Sequence, residues 1–369
     1  MKAGIITFHS AYNYGAVLQA FALQEYVNRN FVETKILDYH NKDIDASYQN
    51  PQLRNFLINP KNAVFKTFQS ILYRGKKIKI DQFRNKYFLL TKRYNIDNIV
   101  EAKEEADVFI TGSDQVWNYL IVNEDSTYYL DFVSEKITCS YAASFGVSEI
   151  PKEYQAFYKQ NLKKIDFISV REKKGVELVD SLIGQTAEVM PDPTLLINQE
   201  IWESLSIIPK QKKKYILVYK ITKADKLLKF AKMLSKKTGL PIVYIPNDLK
   251  SGSIGQLKTS VGPEEWLGYI KHAEYIVTNS FHGTVFSILF NKKFFSEISS
   301  KVNPSTSRLK FLLEMFSLEE RTLEHYTDKM LNKDLDKIEI NKVLAVQRKR
   351  AHDFFEQVFL MRHIKRSDD

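Results

Sequence analysis

The sequence predicts an α/β fold in which two doubly wound, Rossmann-like domains face a central cleft. Short apolar, β-branched runs alternate with amphipathic helical runs along most of the chain. At 369 residues the chain is longer than a single core usually supports, so two domains are expected. A polar, lysine-rich stretch at residues 198–214 interrupts the alternation. We therefore predict a first domain at residues 1–200, a second at 201–335, and a C-terminal helix at 336–369 that packs across the domains.

The first domain begins with a strand at residues 3–8, a helix at 15–28 and a second strand at 34–39. This order is typical of a parallel sheet. Residues 41–100 break the pattern, and we predict a helical insertion there. Its apolar stripe consists of Val64, Phe65, Phe68, Ile71 and Leu72. The later strands of this domain are predicted at residues 107–111, 127–132, 137–142, 167–170 and 187–189.

The second domain repeats the alternation of strands and helices. Its strands are predicted at residues 215–219, 241–245, 275–278 and 293–297. Its helices are predicted at residues 225–236, 264–272 and 305–316. A long amphipathic helix follows at 341–360, and we expect its basic end, residues 362–366, to be a solvated tail.

Composition restricts the classes of protein to which the chain can belong. The chain contains no apolar run of membrane-spanning length and no signal-peptide pattern, so we expect a cytoplasmic protein. Its single cysteine, Cys139, excludes an internal disulfide framework. The net charge of +10 favours phosphorylated substrates or peripheral contact with the inner membrane surface over nucleic acid, because the lysines are dispersed and no nucleic-acid motif is present.

The segment at residues 274–291 is the most informative part of the sequence. A buried strand there turns directly into a buried helix, and Asn279, Ser280, His282 and Gly283 occupy the turn. Open α/β folds place their chemistry at this point, where the first N–H groups of the helix are unpaired. His282 is therefore a candidate catalytic residue. The alternative is that Asn279 or Ser280 caps the helix and His282 only satisfies a neighbouring group.

Two loops of the first domain are predicted to line the same cleft. The loop at residues 9–15 carries Asn13, Tyr14 and Gly15, and the absence of a side chain at Gly15 would let an anion approach the helix. The loop at residues 111–118 combines small and hydrogen-bonding groups with an aromatic ring, a combination that suits a sugar. The residues concerned are Ser113, Asp114 and Trp117. The alternative is a helix cap by Ser113 or Asp114, with Trp117 in the core.

A third loop follows the strand at residues 167–170 and begins with Arg171. An arginine at this place can hold a phosphate or carboxylate through two parallel hydrogen bonds. A structural ion pair with Glu172 or another acid is the alternative. We predict no metal site, because the sequence lacks the common metal-binding motifs and its two Asp-x-Asp matches, at residues 43–45 and 334–336, do not follow buried strands.

Taken together, these loops resemble the polysaccharide pyruvyl transferase family. The matching stretches are, in order, ITFHSAYNYGAVLQAFAL, TGSDQVWN, ISVREKKGVELV, MPDPTLLI and VTNSFHGTVFSILF, with a weaker match at Ser307 and Arg308. They extend over residues 2–316, which is most of the chain. Five spaced motifs in the family order make this resemblance specific.

The resemblance implies a two-domain arrangement like that of GT-B glycosyltransferases. It also implies transfer of pyruvate from phosphoenolpyruvate onto two sugar hydroxyls as a ketal, during the synthesis of a capsule or another exopolysaccharide. By motif, the key residues of the family correspond to Arg171 and His282. The family carries an arginine two residues before the histidine, and this chain has Ser280 there. We expect Arg308 or Lys271 to supply that charge.

On this interpretation, Asn279, Ser280 and Gly283 contribute to the donor site, and the two loops of the first domain bind the acceptor. No metal and no cofactor other than the co-substrate phosphoenolpyruvate is expected. The acceptor is a nucleotide-linked or lipid-linked sugar, and the sequence leaves its identity and the oligomeric state open. Two alternatives remain at this stage, a nucleotide-sugar-dependent glycosyltransferase and a non-catalytic glycan-binding member of the family.

Overall fold

The first domain is built on a seven-stranded sheet. The computed structural model describes residues 1–42, 44, 70–211, 213–222, 225–247, 254–298 and 304–365. The strands of this sheet are β1 (Lys2–Ile6), β2 (Glu33–Tyr39), β3 (Leu90–Tyr94), β4 (Val108–Asp114), β5 (Ile137–Ala143), β6 (Phe167–Val170) and β7 (Glu188–Val189). They are all parallel, in the order β3-β2-β1-β4-β5-β6-β7.

Helices cover this sheet. They are α1 (Tyr14–Asn30), α2 (Arg74–Tyr87), the single turn α3 (Tyr119–Val122), α4 (Lys152–Leu162), α5 (Lys173–Ile183) and α6 (Gln199–Leu205). Helix α1 is buried on nearly all sides. It begins where the strand order reverses, between β1 and β4, which is the point where doubly wound sheets bind ligands.

The second domain has a five-stranded parallel sheet. Its strands are β8 (Ile216–Lys220), β9 (Ile242–Pro246), β10 (Gln256–Leu257), β11 (Tyr275–Thr278) and β12 (Lys293–Ser296), in the order β10-β9-β8-β11-β12. Its helices are α7 (Asp225–Thr238), α8 (Pro263–His272), α9 (Phe281–Leu289) and α10 (Pro304–Met315). Two doubly wound parallel-sheet domains confirm the predicted GT-B-like fold class.

The structure differs from the predicted elements at two places in the first domain. Residues 90–94 form the edge strand β3, which pairs with β2, so they do not belong to a helical insertion. The predicted strand at residues 127–132 is also wrong, because Ser126–Tyr129 is a short 3-10 helix. The Asp125 side chain starts this turn by accepting a hydrogen bond from the Thr127 N–H, and its buried aromatic rings produced the strand-like pattern.

Part of the predicted insertion lies outside the described residues. This applies to Val64, Phe65 and Phe68 of the apolar stripe and to Asp43 and Asp45 of the first Asp-x-Asp match. Within the described part of the insertion, α2 runs from Arg74 to Tyr87.

The C-terminal helix α11 (Lys337–Lys365) returns to the first domain. Phe355 stacks on Tyr141 of β5, with ring centroids 4.7 Å apart. Arg348 donates hydrogen bonds to the carbonyl groups of Leu195 and Ile197. None of the helices that the structure describes is long and apolar enough to cross a membrane.

Helix α8 joins the two domains. The Tyr14 ring of α1 stacks on Trp266 with centroids 5.3 Å apart, and the Tyr14 hydroxyl donates to the Val261 carbonyl at 2.8 Å. Lys79 of α2 reaches Glu265 of α8 at 2.7 Å. These contacts set the carboxyl ends of the two sheets against each other.

Candidate active site

His282 lies at the junction of the two domains. Ser280 caps α9 by accepting a hydrogen bond from the Gly283 N–H at 3.2 Å, which places His282 in the first turn of the helix. The imidazole packs on Gly15 at the start of α1, so closely that a Cβ at Gly15 would lie 2.1 Å from its Nδ1. Its Nε2 lies 3.4 Å from Oδ2 of Asp192. The ring is therefore held between two segments of the first domain.

Asp192 organises the centre of the site from a fully buried position. Its Oδ1 accepts hydrogen bonds from the Thr194 hydroxyl at 2.6 Å and from the Thr194 N–H at 3.0 Å. Its Oδ2 accepts from Arg171 at 2.9 Å and also faces His282. Burial alone would raise the pKa of Asp192, but His282, Arg171 and Thr194 outweigh burial and hold it well below its usual range. Asp192 is thus an ionised carboxylate that orients the imidazole.

Arg171 is buried at the end of β6 and faces several acids. Besides Asp192, it lies 3.5 Å from Asp114 and 4.0 Å from Glu172. Its guanidinium also stands 4.9 Å from the centre of the Phe281 ring. Burial disfavours the charge, yet these three carboxyl groups raise the pKa of Arg171. Arg171 is therefore paired with acids in this structure. These contacts match the alternative considered from the sequence, a structural ion pair with Glu172 or another acid.

Arg308 of α10 is a second buried cation in the same group. Burial and the repulsion from Arg171 lower the pKa of Arg308 to about 10, while Glu172, Asp114 and Asp192 oppose this shift. Its Nε has no hydrogen-bond partner among the described residues. Since the side chain remains charged near neutral pH, an anion placed beside it would be stabilised.

Glu172 follows Arg171 and is also buried. It accepts a hydrogen bond from the Ser144 hydroxyl at 2.7 Å. Burial raises the pKa of Glu172 although Arg171 and Arg308 oppose this effect. If this carboxyl is protonated, it no longer neutralises the charge of Arg171 and Arg308, and both can attract an anionic ligand more strongly.

Most of the second-domain residues that the sequence assigned to the donor site have other roles in the structure. The Ser280 hydroxyl and the Gly283 N–H bond to each other, so neither is free in the way the sequence suggested. Asn279 accepts from the Ile221 N–H and donates to the Thr222 hydroxyl, which fixes the loop after β8. Lys271 stands in the last turn of α8, at the opposite end of the sheet, where it pairs with Glu203 at 3.3 Å. The structure therefore brings Arg308, and not Lys271, to His282 and Arg171.

The predicted acceptor residues divide into two sets. Asn13 and Asp114 line a cavity of about 660 Å³ at the carboxyl edge of the first sheet. Tyr14 belongs to the domain interface. Ser113 is fully buried and donates to the Ala142 carbonyl at 2.8 Å.

Trp117 is a core residue. Its side chain is fully buried, it donates to the Tyr128 carbonyl at 3.1 Å, and its ring stacks on Tyr129.

Gly15 has a different role in the site from the one predicted. Its N–H is bonded to the Asn13 side chain, and the missing side chain makes room for the His282 ring, not for an anion.

Sequence reasoning did not assign Asp192 or Glu172 to the site. A usable signal for Asp192 was present, because it follows the last strand of the first sheet and stands between two prolines, which fix the backbone on both sides. Glu172 gave no comparable signal. From the sequence, Glu172 is only an ion-pair partner for Arg171. Its membership of the site follows from its buried position, which the sequence does not reveal.

Comparisons with known proteins identify one family. A sequence model of the polysaccharide pyruvyl transferase family matches residues 13–297. No curated protein matches the sequence significantly.

Three solved structures illustrate the similarity in fold. A UDP-GlcNAc 2-epimerase from Methanocaldococcus jannaschii is 12% identical, with 94% of this chain and 99% of that chain covered and a TM-score of 0.47. The E. coli heptosyltransferase WaaC with ADP is also 12% identical, with 84% and 90% covered and a TM-score of 0.38. Acinetobacter baumannii MurG is 9% identical, with 98% and 99% covered and a TM-score of 0.40. At these levels the similarity identifies no activity.

Proposed function

Because the chain belongs to the polysaccharide pyruvyl transferase family, a family of transferases, we propose that it moves pyruvate from phosphoenolpyruvate onto two hydroxyls of a sugar. The observation that supports this reaction most is the position of His282, held by Asp192 and Gly15 beside the buried cations Arg171 and Arg308. A proton acceptor and two guanidinium groups are the parts that an anionic enol donor and a hydroxyl acceptor require.

His282 acts as the general base in this proposal. The imidazole takes the proton of the attacking hydroxyl, and the Asp192 carboxylate at 3.4 Å stabilises the imidazolium that forms. C3 of the enol gains a proton, C2 becomes electrophilic, and the first sugar oxygen bonds to it. The second hydroxyl then displaces inorganic phosphate at C2. One of the two hydroxyl protons ends on C3 and the other on the phosphate, so that one donor and one diol give one ketal and one phosphate. Each step uses only proton transfer and charge stabilisation by side chains.

The two arginines bind the donor on this proposal. Arg308, whose Nε lacks a described hydrogen-bond partner, provides the positive charge that Ser280 does not supply. Arg171 contributes when a donor oxygen displaces one of its carboxylate partners. The acceptor sugar occupies the cavity beside Asn13 and Asp114, which adjoins Arg171 through Asp114.

One observation favours a nucleotide-sugar-dependent glycosyltransferase instead. Three carboxyl groups surround Arg171. These carboxyl groups neutralise positive charge that a trianionic donor would need. The diphosphate of a nucleotide sugar carries less negative charge and so requires less positive charge from Arg171.

Thermal denaturation with each donor separates the two proposals. Phosphoenolpyruvate at about 100 times its Kd should stabilise the folded protein by about 2.7 kcal/mol, without added metal. Arg308→Ala should remove most of the resulting rise in Tm, whereas Arg29→Ala, at a surface pair with Glu25, should leave it unchanged. No rise in Tm with saturating phosphoenolpyruvate would refute pyruvyl transfer, and cleavage of a uridine-diphosphate sugar with release of the nucleotide would then support the glycosyltransferase.

A further inference from the structure

Three potential metal ligands meet at the carboxyl edge of the first sheet, outside the site around His282. His9 follows β1, and Asp38 and His40 lie at the end of β2. The Nε2 atoms of both histidines lie 2.9 Å from the same oxygen, Oδ1 of Asp38. All three ligand atoms are within 4.8 Å of one another.

Both ring nitrogens of His9 face oxygen atoms. The side chain is almost fully buried, its Nδ1 lies 3.3 Å from the Thr7 carbonyl oxygen, and its Nε2 faces the Asp38 carboxylate. A neutral imidazole has one donor and one acceptor nitrogen, so it cannot donate to both oxygens. A metal cation bound at Nε2 would let the Nδ1–H donate to the Thr7 carbonyl while the Asp38 oxygen contacts the same cation.

We propose that His9, Asp38 and His40 bind one divalent transition-metal ion, with Zn²⁺ as the best match. Imidazole nitrogen and carboxylate oxygen form a common ligand set for zinc, and three protein ligands leave a further position for water or a ligand oxygen. The two histidines bind through Nε2, and the Nδ1–H of His9 donates to the Thr7 carbonyl, as metal-bound histidines commonly do.

The geometry suits this assignment. In a tetrahedral site with metal–ligand bonds of about 2.0–2.1 Å, the ligand atoms stand about 3.3 Å apart. The two separations that involve Asp38 are 2.9 Å and need to widen by about 0.4 Å, and the two Nε2 atoms lie within 4.8 Å of each other. Asp38 and His40 keep about a fifth of their side-chain surface exposed, so an ion can enter from solvent.

The ion would fix the loop that leads to the site around His282. His9 begins the segment that carries Asn13 and Gly15, the residues that start α1 and contact His282. The expectation that the chain holds no metal rested on short motifs, and this set is not one, because His9 and Asp38 are 29 residues apart.

Metal binding can be measured without any knowledge of the reaction. Tag-free protein stripped with a chelator should bind about one Zn²⁺ per chain in calorimetry, and Co²⁺ should give a visible absorption band. His40→Gln and Asp38→Asn should each weaken Zn²⁺ binding at least about tenfold. These two side chains are partly exposed, so both variants should fold, as circular dichroism would verify. The control is His325→Gln, at an exposed histidine that also contacts a carbonyl group.

The outcomes are distinct. Stoichiometric binding that both ligand variants weaken and the control does not would support the site. Wild-type protein that binds no Zn²⁺ or Co²⁺ would overturn the proposal. Equal affinity in wild type, His40→Gln and Asp38→Asn would place any bound metal elsewhere and would overturn it as well.

Discussion

Replacing Asp192 with asparagine tests the central contact of the candidate active site. The asparagine side chain keeps the size of the aspartate and one carbonyl oxygen for Thr194, but it removes the negative charge that faces His282 and Arg171. If His282 is the base, this charge stabilises the imidazolium formed during the reaction. We therefore expect Asp192→Asn to lower kcat much more than it changes KM for the acceptor.

The size of the effect follows from the distance. Two unit charges 3.4 Å apart interact by about 5 kcal/mol at an effective dielectric constant of about 20. The asparagine dipole and water recover part of this, so we expect a loss of about 3–4 kcal/mol, or a roughly 100- to 1000-fold lower kcat. Loss of the buried pair with Arg171 should also lower the free energy of unfolding by about 3 kcal/mol.

The acid range gives a second readout. The pKa of Asp192 is lower in the folded protein than its ordinary value, so its charge stabilises the fold above about pH 4. This stabilisation is lost as the pH falls further towards the pKa of the folded state. The unfolding free energy of Asp192→Asn should therefore decline less steeply below about pH 4 than that of the wild type.

The assay measures phosphate release from phosphoenolpyruvate with an acceptor that the wild type uses, alongside denaturant unfolding. Asp180→Asn, on the exposed side of α5, is the matched control and should change neither quantity. A kcat for Asp192→Asn within about twofold of the wild type, together with the expected loss of stability, would refute a catalytic role for the contact and leave it purely structural.

Three further predictions concern other contacts of the site. Gly15→Ala should fold but lose most of its activity, because the added Cβ would lie 2.1 Å from Nδ1 of His282; full activity would show that catalysis does not need the observed position of the His282 ring against Gly15. Trp117→Phe should lower the free energy of unfolding by about 1–2 kcal/mol, because the hydrogen bond to the Tyr128 carbonyl is lost, without raising KM for the acceptor. A raised KM would restore the predicted sugar contact. Glu172→Gln should gain stability relative to the wild type as the pH rises above the ordinary glutamate pKa of about 4.3, because burial raises the pKa of this carboxyl in the folded protein and its ionisation then costs stability. Parallel denaturation curves of the two proteins across that range would contradict this.

The fold was predictable from the sequence because periodic patterns mark buried strands and helix faces. The pattern failed where local chemistry overrode it. The Asp125 side chain closes a 3-10 turn in an aromatic run that looks like a strand. The strand β3, the outermost strand of this sheet among the residues that the structure describes, was missed because it carries the charged residues Lys92 and Arg93.

The site was predictable only in part. Polar residues that follow buried strands identified His282 and Arg171, which the structure brings to the same carboxylate. The same rule misassigned Trp117, because a loop position does not reveal whether an aromatic ring turns towards the cleft or the core. Lys271, which we expected as one of two replacements for the family arginine, lies in the last turn of α8 and pairs with Glu203. Partners across the domain junction, such as Gly15 and His282, depend on three-dimensional assembly that periodicity does not encode.

A single oxygen atom, Oδ2 of Asp192, serves groups from both domains: Arg171 of the first and His282 of the second. A ligand that moves the Arg171 guanidinium away from this oxygen changes the electric field at the His282 imidazole. A change of charge on the imidazole likewise changes how strongly the oxygen attracts the guanidinium. Such coupling is reciprocal by thermodynamic necessity. A change of charge or position in one domain can therefore act on the other through this one carboxylate oxygen.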